Sequence, residues 1–92
     1  MTIGDGTVIA RSASVVASEV DGELMMMSIE RGQYFSLNDI ASDVWGRLAE
    51  PRTFGALVEQ LAGDYAAPPD AIAADLRALL ASMRERDVIE LR

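Results

Sequence analysis

Gly32-Gln33-Tyr34-Phe35-Ser36-Leu37-Asn38-Asp39-Ile40-Ala41-Ser42-Asp43-Val44-Trp45 is the stretch whose reading decides the fold. It reads as a strand turning into a helix, with Asn38 at the junction. Asn and Asp disfavour strands, and an Asn side chain can cap the first free amides of a helix. Ile40, Val44 and Leu48 then recur at helical spacing, and Ala41 and Trp45 widen the same apolar stripe. One short run therefore locks a strand to a helix.

Composition sets the bounds on either side. A chain of 92 residues has room for one domain with one modest core, and 50% hydrophobic residues exclude disorder by composition. The chain has no cysteine and no histidine, which removes disulfides, thiol nucleophiles and the commonest metal ligand. Fifteen acidic against eight basic residues give a net charge of −7, a balance that repels a phosphate backbone. No apolar run approaches the roughly 20 residues of a membrane span, and no signal peptide opens the chain. The expectation is a cytoplasmic domain with no cofactor, no nucleic-acid partner and no membrane partner.

Upstream of the deciding stretch, residues 1–13 are mixed and read as a flexible arm, with a short extended piece around Val8; the domain proper spans residues 14–92. Val15 to Val20 is a β-branched run ended by Asp21-Gly22, a hairpin signal because both turn positions want positive φ. Glu23 to Glu30 returns. If Val20 faces Glu23, then Val16, Ser18, Val20, Met25, Met27 and Ile29 share one face. A two-residue loop at Arg31-Gly32 would add Tyr34 and Ser36 to that face, whereas a three-residue loop with a Gly32 bulge would add Phe35 and Leu37. The second choice gives the more consistent apolar face and is the expectation. Two of the three methionines Met25-Met26-Met27 then fill the core, and one lies outside.

Downstream, Glu50-Pro51 ends the first helix, and Thr53 suits the N-cap of a second carrying Phe54, Leu57, Val58, Leu61 and Tyr65. Pro69 suits the first turn of a third helix, roughly Pro69 to Arg86. Its stripe is Ile72, Leu76, Leu79, Leu80 and Met83, with Arg77, Arg84, Glu85 and Arg86 in water. Val88-Ile89-Glu90-Leu91 reads as a closing strand or an extended tail. The fold class is α+β, a three-stranded antiparallel sheet followed by three helices. In such a meander the strand Gln33 to Leu37 is a sheet edge. No lysine occurs in the chain and no proline precedes Pro51 to blunt it. An unguarded edge invites an extended peptide to add as a further strand, or a second copy to form a homodimer.

The ordered set Tyr34-Phe35-Ser36-Leu37-Asn38, Val44-Trp45, Thr53-Phe54, Tyr65, Asp75-Leu76, Leu79-Leu80 and Val88-Ile89 resembles the PqqD-like family, the leader-peptide-binding domains called RiPP recognition elements. The resemblance runs from about Val15 to the C-terminus and leans toward the domains of lasso-peptide clusters. It implies a winged-helix-like domain without catalysis of its own. Such a domain binds the leader of a ribosomally made precursor peptide and presents it to a leader peptidase, cyclase or other modifying enzyme. The leader is implied to add antiparallel to Gln33, Tyr34, Phe35, Ser36 and Leu37, in a groove whose helix side includes Asp75, Leu76, Leu79 and Met83. Asp39-Ile40 departs from relatives that carry a proline or small residue after Leu-Asn.

Two other classes compete. A winged-helix DNA binder would present Asp70, Ala73, Ala74, Asp75 and Ala78 around Arg77, a poor phosphate-facing surface. A metal or hydrolytic site would have to rest on Asp39 and Asp43 at i, i+4, with no other ligand type to support them. A general protein-interaction module is the remaining alternative.

Overall fold

The computed structural model describes residues 3–92. The chain runs β1 (Val8–Arg11), β2 (Val15–Val20), β3 (Glu23–Ser28), β4 (Gln33–Leu37), α1 (Asp39–Arg47), β5 (Arg52–Thr53), α2 (Phe54–Tyr65), α3 (Pro69–Glu85) and β6 (Ile89–Leu91). The strands form two antiparallel three-stranded sheets, ordered β2-β3-β4 and β5-β1-β6. This is an α+β, winged-helix-like fold.

The β2-β3-β4 sheet is the expected meander. Val20 sits opposite Glu23, and the turn between them holds Asp21 at φ +53° and Gly22 at φ +81°, the left-handed pair such a two-residue turn needs. The second turn corrects the expected register. Ser28 pairs with Gln33, so the loop is the four residues Ile29 to Gly32. It is closed by Gly32 N–H donating to the Ser28 carbonyl at 2.8 Å and by Arg31 N–H donating to Ser28 Oγ at 3.3 Å. Fully buried Ser28 finds its partners in this loop, which leaves Ile29 exposed.

An even-numbered loop reverses the faces of β4 relative to a three-residue one. Tyr34 and Ser36 therefore lie with Met27 and Met25, while Phe35 and Leu37 lie with Met26 and Leu24. Met26 is fully buried, with Phe35 and Leu37 packed against the core beside it. The methionine run is inverted from expectation: one member fills the core and two face outward.

The arm expected over residues 1–13 is also corrected, for residues 3–13; residues 1–2 lie outside the described residues. Val8–Arg11 is the central strand of the second sheet, with Ile9 opposite Arg52 on one side and opposite Leu91 on the other. Ile9 and Ala10 are buried, as is Ile3. Residues 5–7 supply carbonyls to α2: Phe54 N–H donates to Thr7 and Gly55 N–H to Asp5. Together with Thr53 Oγ1, which accepts from Ala56 N–H at 3.2 Å, they satisfy amides that a helix start leaves free. β6 settles the choice at Val88–Leu91 as a closing strand on β1.

Asn38 caps α1 as expected, its Oδ1 accepting from Ala41 N–H at 2.8 Å. The other end of α1 is held by two arginines from the second sheet. Arg11 donates to the Trp45 carbonyl at 2.8 Å and lies 4.4 Å over the Trp45 ring, while Arg52 donates to the Arg47 carbonyl at 2.6 Å. Cations belong at a helix C-terminus, where carbonyls lack partners. One core joins these parts: Val44, Trp45 and Leu48 of α1, Phe54, Leu57 and Leu61 of α2, Leu76, Leu80 and Met83 of α3, with Ile9, Met26, Val88 and Ile89. Ile40, expected in that core, is instead 52% exposed.

Candidate functional site

β4 pairs with β3 along one side only. Among the described residues, no backbone hydrogen bond joins its other side to any element. In an antiparallel ladder alternate residues turn both N–H and C=O away from the partner, so every second residue of β4 offers a donor and an acceptor to whatever lies alongside.

Beside that edge runs α3. Phe35, Ser36 and Leu37 face Leu79, Ser82, Met83 and Arg86 across a groove of about 210 Å³. The Arg86 guanidinium lies 5.4 Å over the Phe35 ring, while Leu79, seven residues earlier, borders Asn38 just past the end of β4, so α3 and β4 run in opposite directions. At Asn38 and Leu79 the groove opens into a recess of about 430 Å³, walled by Ile40, Tyr65, Ile72, Asp75 and Leu76. This recess is mainly apolar, and it lies where the first turn of α1 meets α2 and α3.

The helix spacing explains which α3 side chains meet the groove. Ile72, Leu76, Leu79, Met83 and Arg86 follow one another at three or four residues and share a face. Leu76 and Met83 point inward and are buried; Leu79 sits half-buried at the lip.

The recess wall carries a polar clamp. Tyr65 Oη donates to Asp43 Oδ2, Arg47 bonds both Asp43 oxygens (2.9 and 3.3 Å), and Arg47 also pairs with Asp64 at 2.6 Å. The hydrogen bonds from Arg47 and then Tyr65 hold the Asp43 carboxyl below its ordinary value. The bond to Asp43 raises Tyr65 above its own. Asp43 is thus tied into joining α1 to α2, so of the carboxylate pair Asp39 and Asp43 one member is committed to this clamp.

Of the residues singled out in the sequence, Phe35, Ser36, Leu37, Leu79 and Met83 come together in the groove, while Asp75, Leu76 and Leu79 meet in the recess. Gln33 is exposed at the start of β4. Tyr34 does not face the groove. It lies 73% exposed on the opposite sheet face, in a separate concavity with Val16, Val20, Met25 and Met27. Sequence reasoning missed Ile40, Tyr65, Ser82 and Arg86 as neighbours of the site. The three-and-four spacing from Ile72 to Arg86 carried that signal for Arg86.

Comparison with known proteins bears on this geometry. No curated protein matches the chain. Among solved structures, the one described as TbiB1 in complex with the TbiA(beta) leader peptide has a TM-score of 0.79, 25% identity, and covers 88% of this chain and 94% of its own. The one described as lasso peptide synthetase B1 complexed with the leader peptide has a TM-score of 0.76 over 89% of this chain and 96% of its own, at 20% identity. The second establishes likeness of fold. The family model described as Coenzyme PQQ synthesis protein D (PqqD) matches residues 23–89, and this chain belongs to the PqqD family.

Proposed function

We propose that the chain binds the leader segment of a ribosomally made precursor peptide, which adds as a strand to the free edge of β4, and that it presents the leader to a processing enzyme such as a leader peptidase or cyclase. The observation that carries this reading is the unpaired β4 edge lying beside a mixed polar and apolar groove that opens into an apolar recess along α3. The leader-bound neighbours share the fold across most of the chain.

Magnitudes divide the work between backbone and side chains. Two or three outward-facing residues of β4 offer about four to six hydrogen bonds, each worth about 1 kcal/mol net. Association costs about 4–15 kcal/mol in lost freedom. Backbone pairing alone therefore gives alignment with little net affinity and no choice of register, and apolar leader side chains entering the groove and recess must supply both. In this reading Gln33, Tyr34, Phe35, Ser36 and Leu37 contribute main chain. Leu79 is the apolar contact, Leu76 and Met83 form the floor, and Asp75 stands at the rim. The module performs no chemistry. Two copies pairing edge to edge through β4 would occupy the leader's place, so a homodimer and leader binding compete.

The test is a fluorescence-polarisation titration of the domain against a labelled lasso-precursor leader peptide at two salt concentrations. Saturable, weakly salt-dependent binding that is lost in Leu79→Glu is expected. Normal binding by a folded Leu79→Glu variant would overturn the groove assignment. Absence of binding by the folded parent would remove the function.

A further inference from the structure

The groove carries one charge at each end. Asp75 stands at the recess end, beside Asn38 and Ile72. Arg86 stands at the other, over Phe35. Both are exposed, and among the described residues neither has an ion-pair partner, unlike Arg31, Arg47 and Arg92, which hold Asp87, Asp43 with Asp64, and Glu90. The neighbourhood of each end reinforces the contrast. Glu19, Glu23 and Asp39 surround the Leu37 end of the sheet, whereas Arg31 and Asp87 neutralise each other near the Gln33 end.

We infer that Asp75 and Arg86 form a charge ruler that selects an extended peptide carrying a basic residue about five positions N-terminal to an acidic one. The inference rests on the peptide-binding reading above and adds the polarity of the ligand to it. The spacing follows from geometry. Asp75 lies in α3 and Arg86 is its C-cap, eleven positions on, which at about 1.5 Å per residue is about 16 Å. An extended chain covers that distance in about five residues at about 3.4 Å each. The order follows from direction. Among the described residues every ladder is antiparallel, and a peptide that adds to β4 in that same sense starts beside Asn38 and Asp75 and ends beside Phe35 and Arg86. A lysine or arginine therefore meets Asp75 first, and a glutamate or aspartate meets Arg86 later. A like-charged arrangement would place carboxylate against carboxylate and guanidinium against ammonium, so the pair also rejects peptides of reversed polarity.

The experiment is selection from a displayed library of random peptides about a dozen residues long, enough to run past both charges, on the immobilised chain and on its Asp75→Lys/Arg86→Glu variant. Both positions are exposed, and circular dichroism checks that the variant is folded. The parent should enrich peptides with the basic residue about five positions before the acidic one, and the variant should enrich the reverse order. Resynthesised peptides should lose about two- to fivefold in affinity for each mismatched charge, an effect that salt weakens. Enriched peptides without this spacing, an unchanged order in the variant, or the acidic residue first on the parent would overturn the inference alone. A selection that enriches nothing over bare resin would overturn the peptide-binding reading and the inference with it.

Discussion

Met26 and Phe35 stand opposite each other in the β3–β4 ladder and face the same core, while Met25 and Met27 on either side face out with Ser36 and Tyr34. That register decides which side chains β4 presents to α3. It predicts that Met26→Ala costs about 2–5 kcal/mol, the price of a cavity at a closed core position. Met25→Ala and Met27→Ala should cost under about 1 kcal/mol each, since surface changes are usually small. Chemical denaturation of the three variants checks this, and equal losses at all three would contradict the register.

The α1 cap makes a second prediction. Removing Asn38 Oδ1 leaves the Ala41 amide without its partner, so Asn38→Ala should cost about 1 kcal/mol. The same substitution loosens the mouth of the recess that Asn38 borders. Urea unfolding gives the first number.

Ala66 closes α2 in the left-handed conformation, at φ +50°. An L-residue with a Cβ is strained there by about 1–2 kcal/mol, and glycine is not. Ala66→Gly should therefore leave the fold unchanged and raise the melting temperature, less the entropy that glycine adds to the unfolded chain. A lower melting temperature would mean that the strain is relieved another way.

The clamp between Asp43, Arg47 and Tyr65 gives a pH dependence with a sign at each end. Asp43 titrates lower folded than unfolded, so its contribution is present above the ordinary carboxylate value of about 4 and fades as pH falls through the folded value. Tyr65 titrates higher when folded, so its contribution is present below about pH 10 and fades above it. Thermal melts across pH should show both losses in the parent, a reduced acid limb in Asp43→Asn, and a reduced alkaline limb in Tyr65→Phe.

Much of this molecule was legible in local pattern. Asn38 and Thr53 announced two helix starts, Asp21-Gly22 fixed the first hairpin, and the apolar stripes marked the helices, because caps, turns and periodicity act within a few residues. What was not legible depended on distance along the chain. Val8–Arg11 looks weak alone and becomes a central strand only when Arg52–Thr53 and Ile89–Leu91 reach it. The β4 register turned on one loop residue, set by how buried Ser28 finds its partners. At the site, Leu79 and the β4 edge were readable. Arg86 against Phe35 and Tyr65 on Asp43 were not, since each joins elements whose packing the sequence does not state.

In the proposed function a leader peptide adds to β4 and not to β2, the other edge of the same sheet. Amide hydrogen exchange followed by NMR, with and without a lasso-precursor leader peptide, tests it directly. New protection is expected at alternate residues of Gln33–Leu37, with Val15–Val20 unchanged. Protection along Val15–Val20, or none at β4 under saturating peptide, would contradict it.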